Sequence, residues 1–192
     1  MKNIELIGSI NEGNEFLFIY ENFIKNKNSI IYIARNDKEI FEVKNKLQWI
    51  LPSENIYIFR SWDQIPYDNV SPSKNIQSER IKTLYNILLN KNKNILITSV
   101  NSIYQKIVNK KFITTNFIKI YQGQTITFNK LINKIVSLGF QKVSLVREKS
   151  EFAVRGSIID IFLTDQKNPI RLDFVDDKIE SINEFDKFSQ KN

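Results

Sequence analysis

Gly8 and Gly13 stand at the Gly-x-x-x-x-Gly spacing of a phosphate-binding loop, within "IGSINEGNEF". Such a loop wraps phosphate in backbone N–H groups, and its next two residues should be Lys and then Ser or Thr. Those positions hold Asn14 and Glu15. Asn14 brings no positive charge, and Glu15 sets a carboxylate where a polyanion would arrive. Ser9 lies at the loop's beginning and cannot replace the missing hydroxyl. ATP hydrolysis is therefore not expected, and a plain strand-to-helix turn explains two glycines at this spacing as readily as a spent nucleotide site.

The chain has no Cys and no His. Thiol nucleophiles, disulfides, imidazole bases and the usual zinc ligands are excluded together. Asp173, Asp176, Asp177 and Glu180 lie close in sequence, but Asp176-Asp177 reads as a hairpin turn, where acidic residues commonly form the tip. No catalytic residue, metal or cofactor is expected. Asp160, in "IIDIF", is expected to answer a nearby Arg or backbone group. In "IRLDFV", alternation sends Ile170, Leu172 and Phe174 to one face and Arg171, Asp173 and Val175 to the other. If the first set faces a core, Arg171 and Val175 are presented outward together. Arg155 precedes Gly156, where a bulge or tight bend is expected, and can share that sheet. Arginines beside apolar side chains on a rigid sheet suit protein binding, because Arg makes bidentate pairs and tolerates partial burial. An ordinary solvated sheet face fits the pattern as well.

Elements that could position these residues follow from periodicity. The runs 4–7 "IELI", 30–34 "IIYIA", 56–59 "IYIF" and 95–98 "ILIT" read as strands buried on both faces, the habit of a parallel sheet. Helical spacing separates them. "NDKEIFEVKNKLQWIL" carries Ile40, Phe41, Lys44, Leu47 and Leu51 with Asp37 as cap, and "QSERIKTLYNILL" carries Ile81, Leu84, Tyr85 and Leu88. "NSIYQKIV" reads as a helix capped by Asn101 or Ser102. The long loop "SWDQIPYDNVSPSKNIQ" holds enough ring surface to suggest packing onto its neighbour. Near residue 116 the texture changes. A helix "FNKLINKIVSLGF" starts behind Thr127 and ends at Gly139, followed by antiparallel candidates "KVSLVRE", "FAVRG", "SIIDIFL", "IRLDFV" and "KIESI". The expectation is an α/β domain over 1–116 with a parallel sheet, then a small α+β domain over 117–192 with an antiparallel sheet.

The 192 residues carry a formal charge of +7 and 26% charged residues. Lysines are scattered through candidate loops rather than gathered in a stripe, which favours a solvated surface over a nucleic-acid face. No apolar run reaches the length of a membrane span, and Glu5 and Asn11 interrupt any signal-peptide centre. A cytoplasmic location is expected.

Two longer stretches resemble a known family. "FRSWDQIPYDNVSPSKNIQSERIKTLYNIL" is similar to the "W-[ED]-x-[LI]-P-Y-[DE]-x-x-[SA]-P…R-x-x-x-L" segment of bacterial transcription-repair coupling factors (Mfd). "SEFAVRGSIIDIFL…PIRLDFVDDKIESINEFDKFSQ" resembles a later block of the same family, shared with the excision-repair helicase UvrB. UvrB would keep Lys and Thr after the second loop glycine, so Asn14 and Glu15 favour the UvrB-like N-terminal module of Mfd. The resemblance implies that Gly8, Gly13, Asn14 and Glu15 are a degenerate phosphate loop of a motor-like domain. It implies a UvrA-binding domain after it, with contacts at Arg155, Arg171 and Val175, where Val175 replaces a usual Phe. It also implies a non-catalytic UvrA-recruitment module of transcription-coupled nucleotide excision repair. RNA polymerase and DNA would be partners of a full-length protein, through polymerase-binding and translocase domains absent from this chain. A basic DNA-binding module and a small P-loop-type nucleotide hydrolase are the alternatives.

Overall fold

The computed structural model describes residues 8, 10–52, 55–64, 70–164 and 166–191. The expected first strand, 4–7, and the centre of the Trp62 loop lie outside the described residues. The chain divides into two compact units, Met1–Ile113 and Thr114–Asn192. The fold is α/β, with a parallel sheet in the first unit and a separate mixed sheet in the second.

In the first unit, α1 (Glu15–Lys25) precedes β1 (Ile30–Ala34), α2 (Asp37–Ile50), β2 (Ile56–Phe59), α3 (Lys74–Leu89) and β3 (Ile95–Ser99). The β-branched runs form strands in the order β1-β3-β2, all parallel, with Ile30 opposite Ile95 and Ile56 opposite the same residue. Helices α1 and α2 cover one face. Ile19 and Phe23 of α1 and Ile40, Val43 and Leu47 of α2 meet Ala34, Ile56, Ile95 and Ile97. Val43, rather than Phe41, completes the α2 stripe, and Phe41 is exposed. Asn36, not Asp37, caps α2, accepting from the Glu39 N–H at 3.0 Å. Asp37 is instead drawn inward, accepting from the hydroxyls of Ser61 and Ser99, each at 2.7 Å.

On the opposite face α3 lies over β2, and Thr83 Oγ1 donates to the Ile58 carbonyl at 2.8 Å. Its buried side is Ile76, Arg80 and Thr83, while Ile81, Leu84, Tyr85 and Leu88 are only partly covered. Burial on both faces does not hold for β1: Ile31 and Ile33 are exposed, because β1 ends the described sheet and α3 sits over β2. The "NSIYQKIV" helix is a single turn, α4 (Val100–Ile103). The Gln105 side chain that would continue it instead accepts from Trp62 N and Arg80 Nη1, both at 3.0 Å. A short α5 (Lys110–Asn116) follows, capped by Asn109.

The second unit contains α6 (Phe128–Ser137), β4 (Gln141–Lys142), β5 (Glu151–Arg155), β6 (Ile158–Ile161), β7 (Ile170–Val175) and β8 (Lys178–Glu184). Strands are ordered β4-β5-β6-β7-β8; β4 pairs with β5 in parallel and the remaining pairs are antiparallel. The sheet is thus mixed rather than wholly antiparallel. "KVSLVRE" contributes only its first residue, Lys142, to β4 before the chain turns away. Glu151 holds that turn by accepting from Arg147 N at 2.8 Å and Glu148 N at 2.7 Å. One face of the sheet packs Phe152, Ile159, Leu172, Phe174 and Ile179 against Leu131 and Ile135 of α6. Gly139 takes φ 86°, a left-handed helix end that glycine adopts freely. Thr127 occupies the N-cap position of α6 without a side-chain capping bond; Asp177 Oδ1 supplies it, 3.1 Å from Phe128 N.

Candidate protein-binding site

The other face of the second sheet carries the arginines. Antiparallel register sets Asp160 of β6 opposite both Ala153 of β5 and Arg171 of β7. Asp160 is therefore flanked by the two strands that bear Arg155 and Arg171. Its side chain is 1% exposed. Arg171 grips it with both arms of the guanidinium, Nε to Oδ1 at 2.7 Å and Nη2 to Oδ2 at 3.1 Å. Arg155 Nη2 lies 3.7 Å from Oδ2. Donating to the Asp160 carboxylate, above all, holds the Arg171 guanidinium above its ordinary pKa, against the opposing effect of burial.

Sequence pattern placed Arg171 and Val175 outward together, and the structure separates them. The Arg171 side chain is 16% exposed, because Asp160 faces it, the Phe185 ring lies 4.6 Å below it and the Gln190 carbonyl accepts from Nη1 at 3.4 Å. Arg155 remains 43% exposed and Val175 58% exposed. Gly156 follows Arg155 with φ 56° and turns β5 into β6, which brings Arg155 within reach of the same carboxylate. Gln190 had no signal in residue spacing, yet its Oε1 accepts from Arg155 Nη2 at 3.3 Å. The order of the "FDKFSQ" residues in the family block was its only trace.

At the glycine loop, Gly13 adopts φ 86° and its carbonyl accepts from Lys46 Nζ at 2.7 Å. Asn14 is the N-cap of α1 without a side-chain capping bond, and Glu15 is the first residue of the helix, where an acidic side chain favours the dipole. Glu12 pairs with Arg35 at 3.2 Å. Among the described residues nothing lies within 4 Å of a would-be Cβ at Gly8.

The acidic group at the hairpin is also spoken for in part. Asp173 accepts from Ser181 Oγ, and Asp177 serves α6. Among the described residues no group of three or more acidic side chains is placed to hold a metal ion, and no helix is long and apolar enough to cross a membrane. The Trp62 ring packs 4.1 Å from the Arg80 guanidinium, whose other side faces Phe59 at 4.0 Å. Residue spacing does not single out Arg80, because its helical stripe runs through Ile81, Leu84, Tyr85 and Leu88.

Residues 118–192 match the UvrB interaction domain family. The chain is similar to transcription-repair-coupling factors along most of its length. It is 35% identical to that of Rickettsia bellii over 170 residues, covering 88% of this chain and 15% of the relative. It is 29% identical to that of Haemophilus influenzae over 187 residues, 97% of this chain and 16% of the relative. With that of Escherichia coli it shares 35% identity over 130 residues, 68% of this chain and 11% of the relative. The chain therefore spans only about a sixth or less of the lengths of these relatives.

Proposed function

Because this chain is an N-terminal, UvrB-like module of the transcription-repair-coupling factors, bearing a UvrB interaction domain, we propose that it recruits UvrA in transcription-coupled nucleotide excision repair. A non-catalytic binding module is the corresponding chemistry. The observation that carries the reading is the convergence of Arg155 and Arg171 on Asp160, on one sheet face of the UvrB interaction domain.

The two arginines have different parts in it. Arg155 is accessible and can offer guanidinium donors to a carboxylate or carbonyl on UvrA. Arg171 is covered and acts mainly through Asp160, whose carboxylate sets where the Arg155 guanidinium rests. Val175 gives an exposed apolar contact. In a full-length protein, RNA polymerase and DNA would engage other domains. Gly8, Gly13, Asn14 and Glu15 are best read as a phosphate loop that lost its Lys and hydroxyl, a reading supported by Glu15 at the helix start and Lys46 on the Gly13 carbonyl.

Titration of the chain against purified UvrA tests the reading. Saturable binding is expected, and Arg155→Ala should weaken it by roughly thirty-fold or more, since losing one partner of a desolvated charged contact costs about 2 kcal/mol or more. Absence of binding, or wild-type affinity in Arg155→Ala, overturns the assignment. Titration with Mg-ATP should give no saturable heat.

A further inference from the structure

The segment after β8 folds back over the arginine face. Phe185 is buried with Val146, Ala153 and Phe162, and its N–H donates to the Pro169 carbonyl at 3.1 Å. Asp186 then organises a tight turn. Its carboxylate accepts from Ser189 N at 2.7 Å and Phe188 N at 3.1 Å, and its carbonyl accepts from Gln190 N at 2.8 Å. Gln190 has φ 60°, a left-handed conformation that a non-glycine residue keeps only when its surroundings hold it.

Those surroundings are the arginine site itself. The Gln190 amide donates to the carbonyls of Lys187 at 2.8 Å and Val146 at 3.3 Å, while its Oε1 and main-chain oxygen accept from Arg155 and Arg171. The turn is thus latched to both guanidinium groups. On it stands Phe188, 81% exposed, with the Lys187 ammonium 5.1 Å from the ring centre. Phe188 is two residues from Gln190, so their Cα atoms are at most about 7.6 Å apart. A lone exposed aromatic ring is unremarkable on a protein surface. This one differs in standing on a turn that Gln190 bonds to an accessible Arg155 and to Arg171, with Lys187 against the ring and Lys191 three residues on. Aromatic and Arg side chains held close together and preorganised are the composition of interface hot spots.

We infer that Phe188 is the aromatic anchor of the surface that docks UvrA, filling an apolar pocket whose rim is acidic. The inference rests on the reading of Arg155 given above.

The experiment is a titration of the 192-residue chain and its variants with UvrA, with a thermal melt of each. Phe188→Ala should bind at least about ten-fold more weakly than the parent, with an unchanged melting temperature because the ring is exposed. Phe188→Tyr should stay within about three-fold of the parent. Parental affinity in Phe188→Ala beside weakened binding in Arg155→Ala overturns the anchor and leaves the arginine site standing. Equal loss in the Tyr and Ala variants also overturns it, since a filled ring pocket would distinguish them. Parental affinity in both Phe188→Ala and Arg155→Ala, or no UvrA binding by the parent, overturns both.

Discussion

Arg171 of β7 closes on Asp160 of β6 with two parallel hydrogen bonds, 2.7 and 3.1 Å long, across directly opposed positions of the sheet. The carboxylate is 1% exposed, and among the described residues Arg171 and Arg155 are the cations that pair with it. Asp160→Ala would remove the carboxylate that a largely covered guanidinium grips with both arms. Loss of about 3–5 kcal/mol is expected, as for other buried pairs broken on one side. Arg171→Ala should destabilise by a similar amount, whereas Arg155→Ala, half in solvent and 3.7 Å from the same carboxylate, should cost about 1 kcal/mol or less. Urea unfolding of the three variants measures the ordering. Equal stability of Arg171→Ala and Arg155→Ala would contradict it.

In the first unit Arg80 stacks between Phe59 and Trp62 and also donates to the Arg60 carbonyl and to Gln105 Oε1. Burial pushes its pKa down to about 10, against a weaker upward pull from Asp37. Lys has no planar face to fill the gap between two rings and cannot fork to both acceptors. Arg80→Lys should therefore cost about 1–3 kcal/mol. Trp62 emission, read in a Trp49→Phe background because Trp49 is exposed, should shift red as the stack loosens. An unshifted spectrum with parental stability would refute the stack as a stabilising element.

The limits of sequence reading have physical causes visible at these same residues. β1, β2 and β3 were legible because β-branched residues cluster there, and the 170–182 hairpin because Asp176-Asp177 interrupts two alternating runs. Arg171 was misplaced outward because alternation assigns a face but not what covers it. The Asp160 partnership depends on β6–β7 register, and the cover depends on a segment fourteen and more residues downstream. Helix α4 was overextended for a similar reason: its local pattern is helical, but Gln105 makes stronger commitments to Arg80 and Trp62. β4 shows the converse, since Val143 and Val146 leave the sheet to pack beside Phe162 and Phe185.

Glu39 makes stability of the first unit pH-dependent. Burial, the largest influence, pushes its pKa up, but hydrogen bonds from Tyr32 and Arg35 together outweigh it, and the carboxyl is held below its ordinary value of 4.5. The unfolded chain then binds more protons than the folded one between the lowered value and 4.5, so stability rises with pH through that window. The contribution is fully present above 4.5 and lost as pH falls through the folded pKa. Glu39→Gln should be less stable than the parent at pH 7, with the gap narrowing toward pH 3. Denaturant unfolding of both proteins across that range measures it, and a constant gap would exclude Glu39 as a source.

Asp177 joins two elements from the tip of the β7–β8 hairpin. Its carbonyl accepts from Ile126 N at 2.7 Å, and its carboxylate caps α6 at Phe128 N. A side-chain acceptor at a helix start is worth about 1 kcal/mol, and here it also anchors the edge-to-face contact between Phe128 and Phe174, whose ring centres are 5.0 Å apart. Asp177→Ala should lose about 1–2 kcal/mol, and Asp177→Asn should lose less because it keeps the acceptor. If the acidic hairpin instead served to hold a divalent cation, millimolar Mg²⁺ or Ca²⁺ would raise the melting temperature of the parent and leave Asp177→Asn unmoved. The capping role predicts the reverse pattern: no cation effect beyond that of matched ionic strength, and a melting temperature set by whether residue 177 can accept a hydrogen bond.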